Sequence, residues 1–567
     1  MDGRNLAVGA QGQAYHHHGE EELKLDIEVG RVTGGALVAD YVAGAPAARA
    51  FYAGWWGDPD AYRAKALEVD GRFGRAERER AALAMVAPTG AEERLSDWVE
   101  RGGYLVTTGQ QPVLFTGPLY TVYKALTAVR LASALEDHLD APVLPLFWVA
   151  SEDHDWEESN HTGVIDVENE LRRVEVAAPA EELGRPLHRI HPGGELERAR
   201  AELLAHLPTS DFSPPLAALL ERAYRPGHTL PEAFARTLLG LLQPFGLFLV
   251  DAAHPVVKEA SLAVLERELD HAEEHERVLT ERARQLEAAG YHVQVPVLAG
   301  GVNLFVEGPA GRERLYRDDG SFHLRHSGAR LTREELGRRL REEPGTVSPN
   351  VLLRPVVESH VFPTLSLVGG PAESAYLGQL QPYFEAHAIR PPVIHPRFGA
   401  TVIEGKVGKV LEKFALAPEE LRRPFHEVAA AVAESELPGG VRRALGEIRG
   451  ALAKGTSSLI EAARAVDPTL KGPIEHARGA ALDALADAER KILQAVKREN
   501  EVALGQLEKA RLHLFPEGKP QERVLSPFYY LFRYGPAFLT AVADRFDPPF
   551  LGATEAAPRL DATTGGR

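Results

Sequence analysis

The sequence predicts an α/β protein with a parallel-sheet core that carries inserted pieces, followed by a long antiparallel helical hairpin. Three observations point there. Between 103 and 150 a strand, a helix of about twenty residues and a wholly apolar strand follow one another, the βαβ order that builds a parallel sheet. Short apolar strands of the same kind recur at 247–251, 365–368 and 392–395. Two heptad-spaced apolar runs then fill 441–495, parted by Asp467-Pro468, which is the pattern of two helices folded back on each other.

With 567 residues the chain is several times the ~150 of one ordinary domain, and its 44% hydrophobic and 26% charged content is that of a globular protein able to bury a core. No apolar run approaches the ~20 residues of a membrane span, and the N-terminus lacks the apolar stretch of a signal peptide. A cytoplasmic protein with no membrane partner is expected. The net charge of −17 repels phosphate backbones, so nucleic acid is not an expected partner either. The chain has no cysteine, which excludes disulfides, thiolate metal sites and cysteine nucleophiles.

The elements follow in order. Residues 1–26, with His16-His17-His18, show no periodicity and read as a mobile tail. A mostly helical stretch broken by glycine and proline runs from Ala47 to Leu95. Tyr104–Thr107 reads as a strand that ends in a loop from Thr108 to Pro112. Pro118 suits the first turn of a helix, on which Leu119, Val122, Leu126 and Val129 form one apolar stripe. Val143–Ala150 reads as a strand buried on both faces.

The core is expected to span 27–405, with insertions near 165–240 and 295–350. Residues 168–225 read as charged and helical. A helix over 255–272 follows the 247–251 strand, further strands fall at 293–298 and 302–306, and Arg317-Asp318-Asp319-Gly320 is a hairpin turn. Within 406–515 the first helical seam holds Val441, Leu445, Ile448, Leu452 and Leu459, and the second Ala481, Leu485, Ala488, Ile492 and Ala495. A hairpin that long calls for a covering partner, so a homodimer is expected. Residues 516–567 return to the core and end in a disordered tail from Thr554.

Candidate chemistry gathers at the strand ends, where open α/β sheets bind ligands. Thr108, Gly109, Gln110 and Gln111 offer close backbone approach and amide groups, and Thr116, Gly117 and Lys124 follow at and beyond the helix start, a natural place for an anion. Ser151, Glu152, Asp153, His154 and Asp155, with His161 nearby, directly follow the apolar strand. Crowded carboxylates perturb one another there, and His154 between two aspartates could act as a base, or the set could hold Mg²⁺ or a transition metal. Gly369, Gly370, Glu373 and Tyr376 repeat the glycine-loop logic, with Arg354 and Glu358 placed to pair. Lys519 and Arg523 could meet a nucleotide phosphate or lock the returning chain to the core. A polar βα loop and a solvated acidic run remain the plain alternatives. No Gly-x₄-Gly-Lys-Ser/Thr, Gly-x-Gly-x-x-Gly, Gly-x-Ser-x-Gly or His-Glu-x-x-His signature occurs in a fitting context.

The stretches TTGQQPVLFTGPLYTVYK (107–124), FWVASEDHDWEESNH (147–161), LRPVVESHVFPTLSLVGGPAESAYLGQL (353–380) and LFPEGKPQERV (514–524) resemble the bacillithiol biosynthesis cysteine-adding enzyme family. The resemblance runs from about residue 30 to 535, with Asp40-Tyr41 and Phe51-Tyr52 included. It implies a Rossmann-like core with connective subdomains, a C-terminal coiled coil that dimerises, and a ligase joining cysteine to the amine of glucosaminyl malate. A carboxylate resists attack by an amine, so activation by ATP is expected, leaving ADP or AMP. On that reading Thr108–Gln111 and Thr116–Lys124 hold the activated carboxylate and its phosphate. Glu152, Asp153, His154 or Asp155 bind an amine and take its proton, and Asp153 and Asp155 hold Mg²⁺. The rival readings are a metal-dependent amide hydrolase built on 152–161 and a metabolite-sensing coiled-coil scaffold.

Overall fold

The structure, a computed structural model, describes residues 25–435, 437–499, 501–548 and 559–560. The main sheet grows around the apolar run Val143–Val149, in which every residue is buried. Its strands are β1 (Met85–Val86), β2 (Tyr104–Gln110), β3 (Val143–Val149), β4 (Phe248–Asp251), β5 (Thr364–Gly369) and β6 (Val393–Pro396), in spatial order β6-β5-β2-β3-β4-β1. All pairs are parallel except β1 against β4 at the edge. From β2 the chain moves one way through β3 and β4, then returns to the other side for β5 and β6. That reversal at β2 is the topological switch point of a doubly wound sheet, where a crevice opens at the carboxyl ends of the strands.

Helix α1 (Tyr120–Leu139) makes the crossover between β2 and β3. Leu119, Val122 and Leu126 are buried as the stripe predicts and Val129 is half-buried, but all residues from Thr121 to Ala128 are buried too. The helix is walled on two sides. Its inner face meets Val106 and Leu365 of the sheet, and its outer face meets Phe398 and Phe546, with the Tyr123 ring edge-on to Phe546 at 5.9 Å.

Phe147, fully buried on β3 against Phe234, tests the doubly covered strand. Phe147→Ala is expected to cost about 3–5 kcal/mol, read from equilibrium urea unfolding. A cost under about 1 kcal/mol would contradict burial on both faces.

Several expectations need correction. Strand β2 runs on through Gln110, so Thr108 and Gly109 are ladder residues rather than loop, paired with Phe147 and Trp148. Residues 293–298 form no strand; the Val295 N–H donates to Gln379 Oε1 and its carbonyl accepts from Gln379 Nε2, so one side chain replaces a ladder. The helix after β4, α2 (Pro255–Ala288), is 34 residues long, twice the expected span, with a break at His271. The 168–225 insertion is not all helix: it shares the antiparallel hairpin His161–Ile165/Leu171–Glu175 before helices Glu195–His206 and Ser213–Ala223.

Residues 301–349 build a separate five-stranded antiparallel sheet packed on α2. Its expected turn closes between Asp318 and Ser321, with Gly320 at φ +72, a conformation glycine adopts freely. In the hairpin, α3 (Gly439–Ala463) and α4 (Lys471–Glu499) run antiparallel, tied by Arg449 and Glu489. Leu445 is buried, and Val441, Leu452, Ala481, Leu485, Ile492 and Ala495 are half-buried. Ile448, Leu459 and Ala488, expected in the seams, face outward because two helices cover only a narrow strip of each other.

Most of the expected N-terminal tail, His16-His17-His18 included, lies outside the described residues. Leu25 and Asp26, counted in that tail, belong instead to the strand Leu25–Val32, which pairs with Phe398–Glu404. Of the expected C-terminal tail, Arg559-Leu560 pair with Arg31-Val32, and the rest from Thr554 lies outside the described residues. Among the described residues no helix is long and apolar enough to cross a membrane.

Candidate active site

A cavity of about 480 Å³ sits at the carboxyl ends of β2, β3 and β5. Its floor comes from the sheet: Gly109, Gln110 and Gln111 at the end of β2, Glu152, Asp153 and His154 after β3, and Gly370 and Glu373 after β5. Tyr120 and Lys124 reach in from α1. The opposite wall is the inserted sheet, which contributes Phe305, Arg312, Arg314 and Asn350, and Arg397 and Arg523 close the remaining side. Gln110 and Asp153 therefore share one cavity. Gln110 Nε2 donates to Gln111 Oε1 at 2.8 Å, and Gln111 Nε2 to Asp153 Oδ2 at 3.1 Å.

Lys124 lies one turn into α1, and its stem folds back to the sheet. Its ammonium is buried among Gly109 O, Gln110 Oε1 at 3.2 Å and both oxygens of Glu373 at 2.7 and 2.8 Å. Burial alone would raise the Glu373 carboxyl, but the Lys124 charge and the Gly370 N–H hold it below the usual carboxylate range. The other carboxylates near the cavity are also matched. Glu152 accepts from Lys258 at 2.5 Å, Glu358 from Arg354 at 2.5 Å and Glu522 from Arg397 at 2.6 Å.

Asp153 takes hydrogen bonds from the His154 N–H at 2.7 Å and from Gln111, with Arg312 at 4.0 Å. Burial would raise this carboxyl; the His154 hydrogen bonds and the Arg312 charge overcome it and hold Asp153 well below its ordinary value. Arg312 Nη1 also lies 3.1 Å from His154 Nδ1. The same Nδ1 lies 3.5 Å from Asp153 Oδ1, so it faces a donor and an acceptor at once.

Six cationic side chains line the cavity (Lys124, Arg312, Arg314, Arg354, Arg397 and Arg523) against three carboxylates (Glu152, Asp153 and Glu373). In a chain of net charge −17 this is a local inversion of sign, and such a cleft concentrates anions. Arg314 Nε is buried without a hydrogen-bond partner among the described residues.

Several sequence candidates face elsewhere. The Thr108 hydroxyl donates to Val368 O, and the Ser151 hydroxyl to Asp251. Thr116 bonds its neighbour's carbonyl, and Gly117 packs on Thr162. Asp155 caps the short helix Trp156–Ser159 through the Glu158 N–H, and His161 Nδ1 meets Glu157 O and Asn160 Oδ1. Gly369 ends β5 and accepts from the Arg397 N–H. Lys519 is exposed and pairs with Glu517. The start of α1 is no anion site, because the Leu119 N–H donates to Leu525 O. Segment 521–525 thus covers that helix end while placing Arg523 in the cavity wall.

The acidic run gathers no group of three converging metal donors among the described residues. Among the described residues the groups whose donors converge are Glu268-His275-His387 and Asp166-Glu168-Glu170, and 152–161 enters neither. Mg²⁺ on Asp153 and Asp155 does not fit either, since Asp155 is a helix cap outside the cavity and Asp153 is already held by N–H donors. Arg523 was among the sequence candidates and does line the cavity; Arg312, Arg314 and Arg397 were missed because they come from remote strands and turns with no local spacing signal. Arg354-x₃-Glu358 was visible as an i,i+4 pair.

A doubly wound sheet with a polar cavity at its switch point and a C-terminal helical hairpin defines a Rossmann-like protein with an appended coiled coil. The family model "Bacillithiol biosynthesis BshC, N-terminal Rossmann-like domain" matches residues 25–398, and "Bacillithiol biosynthesis BshC, C-terminal coiled-coil domain" matches 400–551. The chain belongs to the BshC family of bacillithiol biosynthesis. It is 32% identical over 515 residues to a Salinibacter ruber protein named "Putative cysteine ligase BshC", covering 89% of this chain and 92% of that one. Proteins of the same name from Chlorobaculum tepidum (33% identity; 77% and 80% covered) and Koribacter versatilis (37%; 64% and 69%) are also similar.

Proposed function

We propose that this chain is a ligase that forms an amide between the carboxyl group of cysteine and the amine of glucosaminyl malate, with a nucleoside triphosphate as cosubstrate. The observation that carries the reading is the excess of cations at the strand tips. The malyl group brings two carboxylates, and an activating phosphate brings more negative charge; Arg312, Arg314 and Arg523 supply donors of the matching sign. The names of the relatives support the cysteine half of the reaction.

Cysteine carboxylate displaces either ADP or pyrophosphate from ATP, the neutral amine nitrogen then attacks the activated carbonyl carbon, and phosphate or AMP leaves with the electron pair and takes up the proton the nitrogen loses. The amine must be neutral to attack. Cationic walls disfavour its protonated form, and Asp153, ionised and matched to donors, serves to hold the α-ammonium group of cysteine rather than to take a proton from the sugar amine. His154, in contact with both Asp153 and Arg312, serves to orient those two groups. The chain works as a homodimer, with Ile448 and Leu459 of the hairpin, 46% and 54% exposed, as the apolar face for a second copy.

Incubating purified protein with ATP, cysteine and glucosaminyl malate is expected to yield bacillithiol by mass spectrometry. AMP as the by-product marks an adenylate and ADP an acyl phosphate. The same assay with Asp155→Ala and His161→Ala is expected to run within about 3-fold of the parent, since neither lines the cavity. Failure to form the amide with any nucleoside triphosphate would sink the proposal.

A further inference from the structure

Away from the cavity, three metal-type donors meet in the core behind the inserted sheet. Glu268 and His275 lie seven residues apart on α2, two turns along the same side. Between them His271 leaves helical geometry at φ −116 and ψ 16. His387 follows the short helix Gln381–Ala386. Glu268 Oε2 stands 2.6 Å from His275 Nδ1, 2.8 Å from the Tyr383 hydroxyl and 3.8 Å from His387 Nε2. The donor atoms of the three residues lie within 4.8 Å of one another, and the side chains are at most 1% exposed.

A buried Glu268–His275 ion pair, with the Asn303 N–H and the Tyr383 hydroxyl as further donors, accounts for the carboxylate. It leaves His387 only the long 3.8 Å contact from Nε2 to that carboxylate. Neither ring nitrogen makes a hydrogen bond among the described residues, and the ring lies tilted on His275 with centroids 4.5 Å apart. Buried polar atoms are nearly always partnered. Two such atoms on one imidazole, beside a second imidazole and a shared carboxylate, are explained by an ion among them.

We propose that Glu268, His275 and His387 bind a divalent transition-metal ion, zinc by preference. Two imidazoles and one carboxylate suit zinc and its neighbours in the series rather than Mg²⁺ or Ca²⁺. A tetrahedral zinc ion with bonds near 2.0–2.1 Å spaces its ligands at ~3.3 Å; the present 2.6 and 3.8 Å straddle that value, so small side-chain movements complete the set. The Tyr383 hydroxyl is the fourth donor within reach. The site is closed and none of its ligands lines the cavity, so its role is structural: it fastens α2 to the 381–387 turn and, through Asn303, to the strand whose Phe305 lines the cavity. This inference does not rest on the ligase reading.

The test uses full-length protein with His16, His17 and His18 replaced by alanine, so that the tail binds no metal. After chelation and dialysis against zinc, metal analysis is expected to find one zinc per chain. The melting temperature is expected to rise by about 2 °C or more at a free zinc concentration ~100 times Kd. His387→Gln and Glu268→Gln are each expected to weaken that binding at least ~100-fold, whereas His154→Ala keeps it. X-ray absorption at the zinc edge of the tail-substituted parent is expected to count two imidazole nitrogens, a readout that stands even where a core variant fails to fold. No zinc uptake, unchanged affinity in both core variants, or a spectrum without two imidazoles would each overturn the proposal.

Discussion

Lys124→Met is expected to lower amide formation at least ~100-fold and to destabilise the fold by about 3 kcal/mol, the low end for breaking a buried ion pair. The ammonium is 1% exposed while Glu373 keeps 24% of its side-chain surface, which softens the cost through solvent. Removing the charge leaves the Glu373 carboxylate, Gly109 O and Gln110 Oε1 facing an apolar stem. Adding Glu373→Gln to Lys124→Met takes away the stranded charge, so the double variant is expected to regain part of the stability and none of the turnover. Urea unfolding and a product assay on the four proteins of the cycle separate the two effects. A double variant no more stable than Lys124→Met would mean that the pair does not carry the local electrostatics.

The reason Lys124 matters was only half legible in the sequence. Apolar periodicity placed it on a helix after a strand, since the 2.0 and 3.6 repeats are local properties of the chain. Its partner Glu373 lies 249 residues away, and no local spacing encodes which strand tip neighbours which. The same limit explains the arginines: Arg312 and Arg314 sit on an inserted strand that reads as an ordinary amphipathic hairpin until the sheet folds over the cavity. Conversely, Asp155 and His161 looked chemical by composition. The backbone dictates otherwise, because a chain leaving a strand needs a helix cap and spends Asp155 on it. Residues 293–298 failed for a related reason, an apolar run whose peptide groups were claimed by one glutamine. The glycine-rich loop before α1 suggested an anion site, but Leu525 had already taken the exposed N–H.

Arg312→Met is expected to raise KM for glucosaminyl malate about 10- to 100-fold, the scale of a lost charge-assisted hydrogen bond. The guanidinium is buried, donates to Ser348 Oγ at 2.9 Å and to Pro349 O at 3.1 Å, and lies 3.9 Å over the Phe305 ring, so it is held as a preformed anion ligand. Its removal also acts on Asp153. The Arg312 charge is one of the groups keeping that carboxyl well below its ordinary value, so in the variant the Asp153 pKa moves upward. The sign follows directly: a depressed carboxyl contributes stability and an ionised ammonium partner above its unfolded pKa, and both are lost as pH falls through the folded one. In Arg312→Met the acid limb of kcat/KM is therefore expected at higher pH than in the parent, with the alkaline limb unmoved. Arg312→Lys restores a charge without the planar fork, so it is expected to return the acid limb most of the way while KM stays high. An acid limb that stays put in Arg312→Met would mean that Asp153 is not the group that binds the α-ammonium of cysteine.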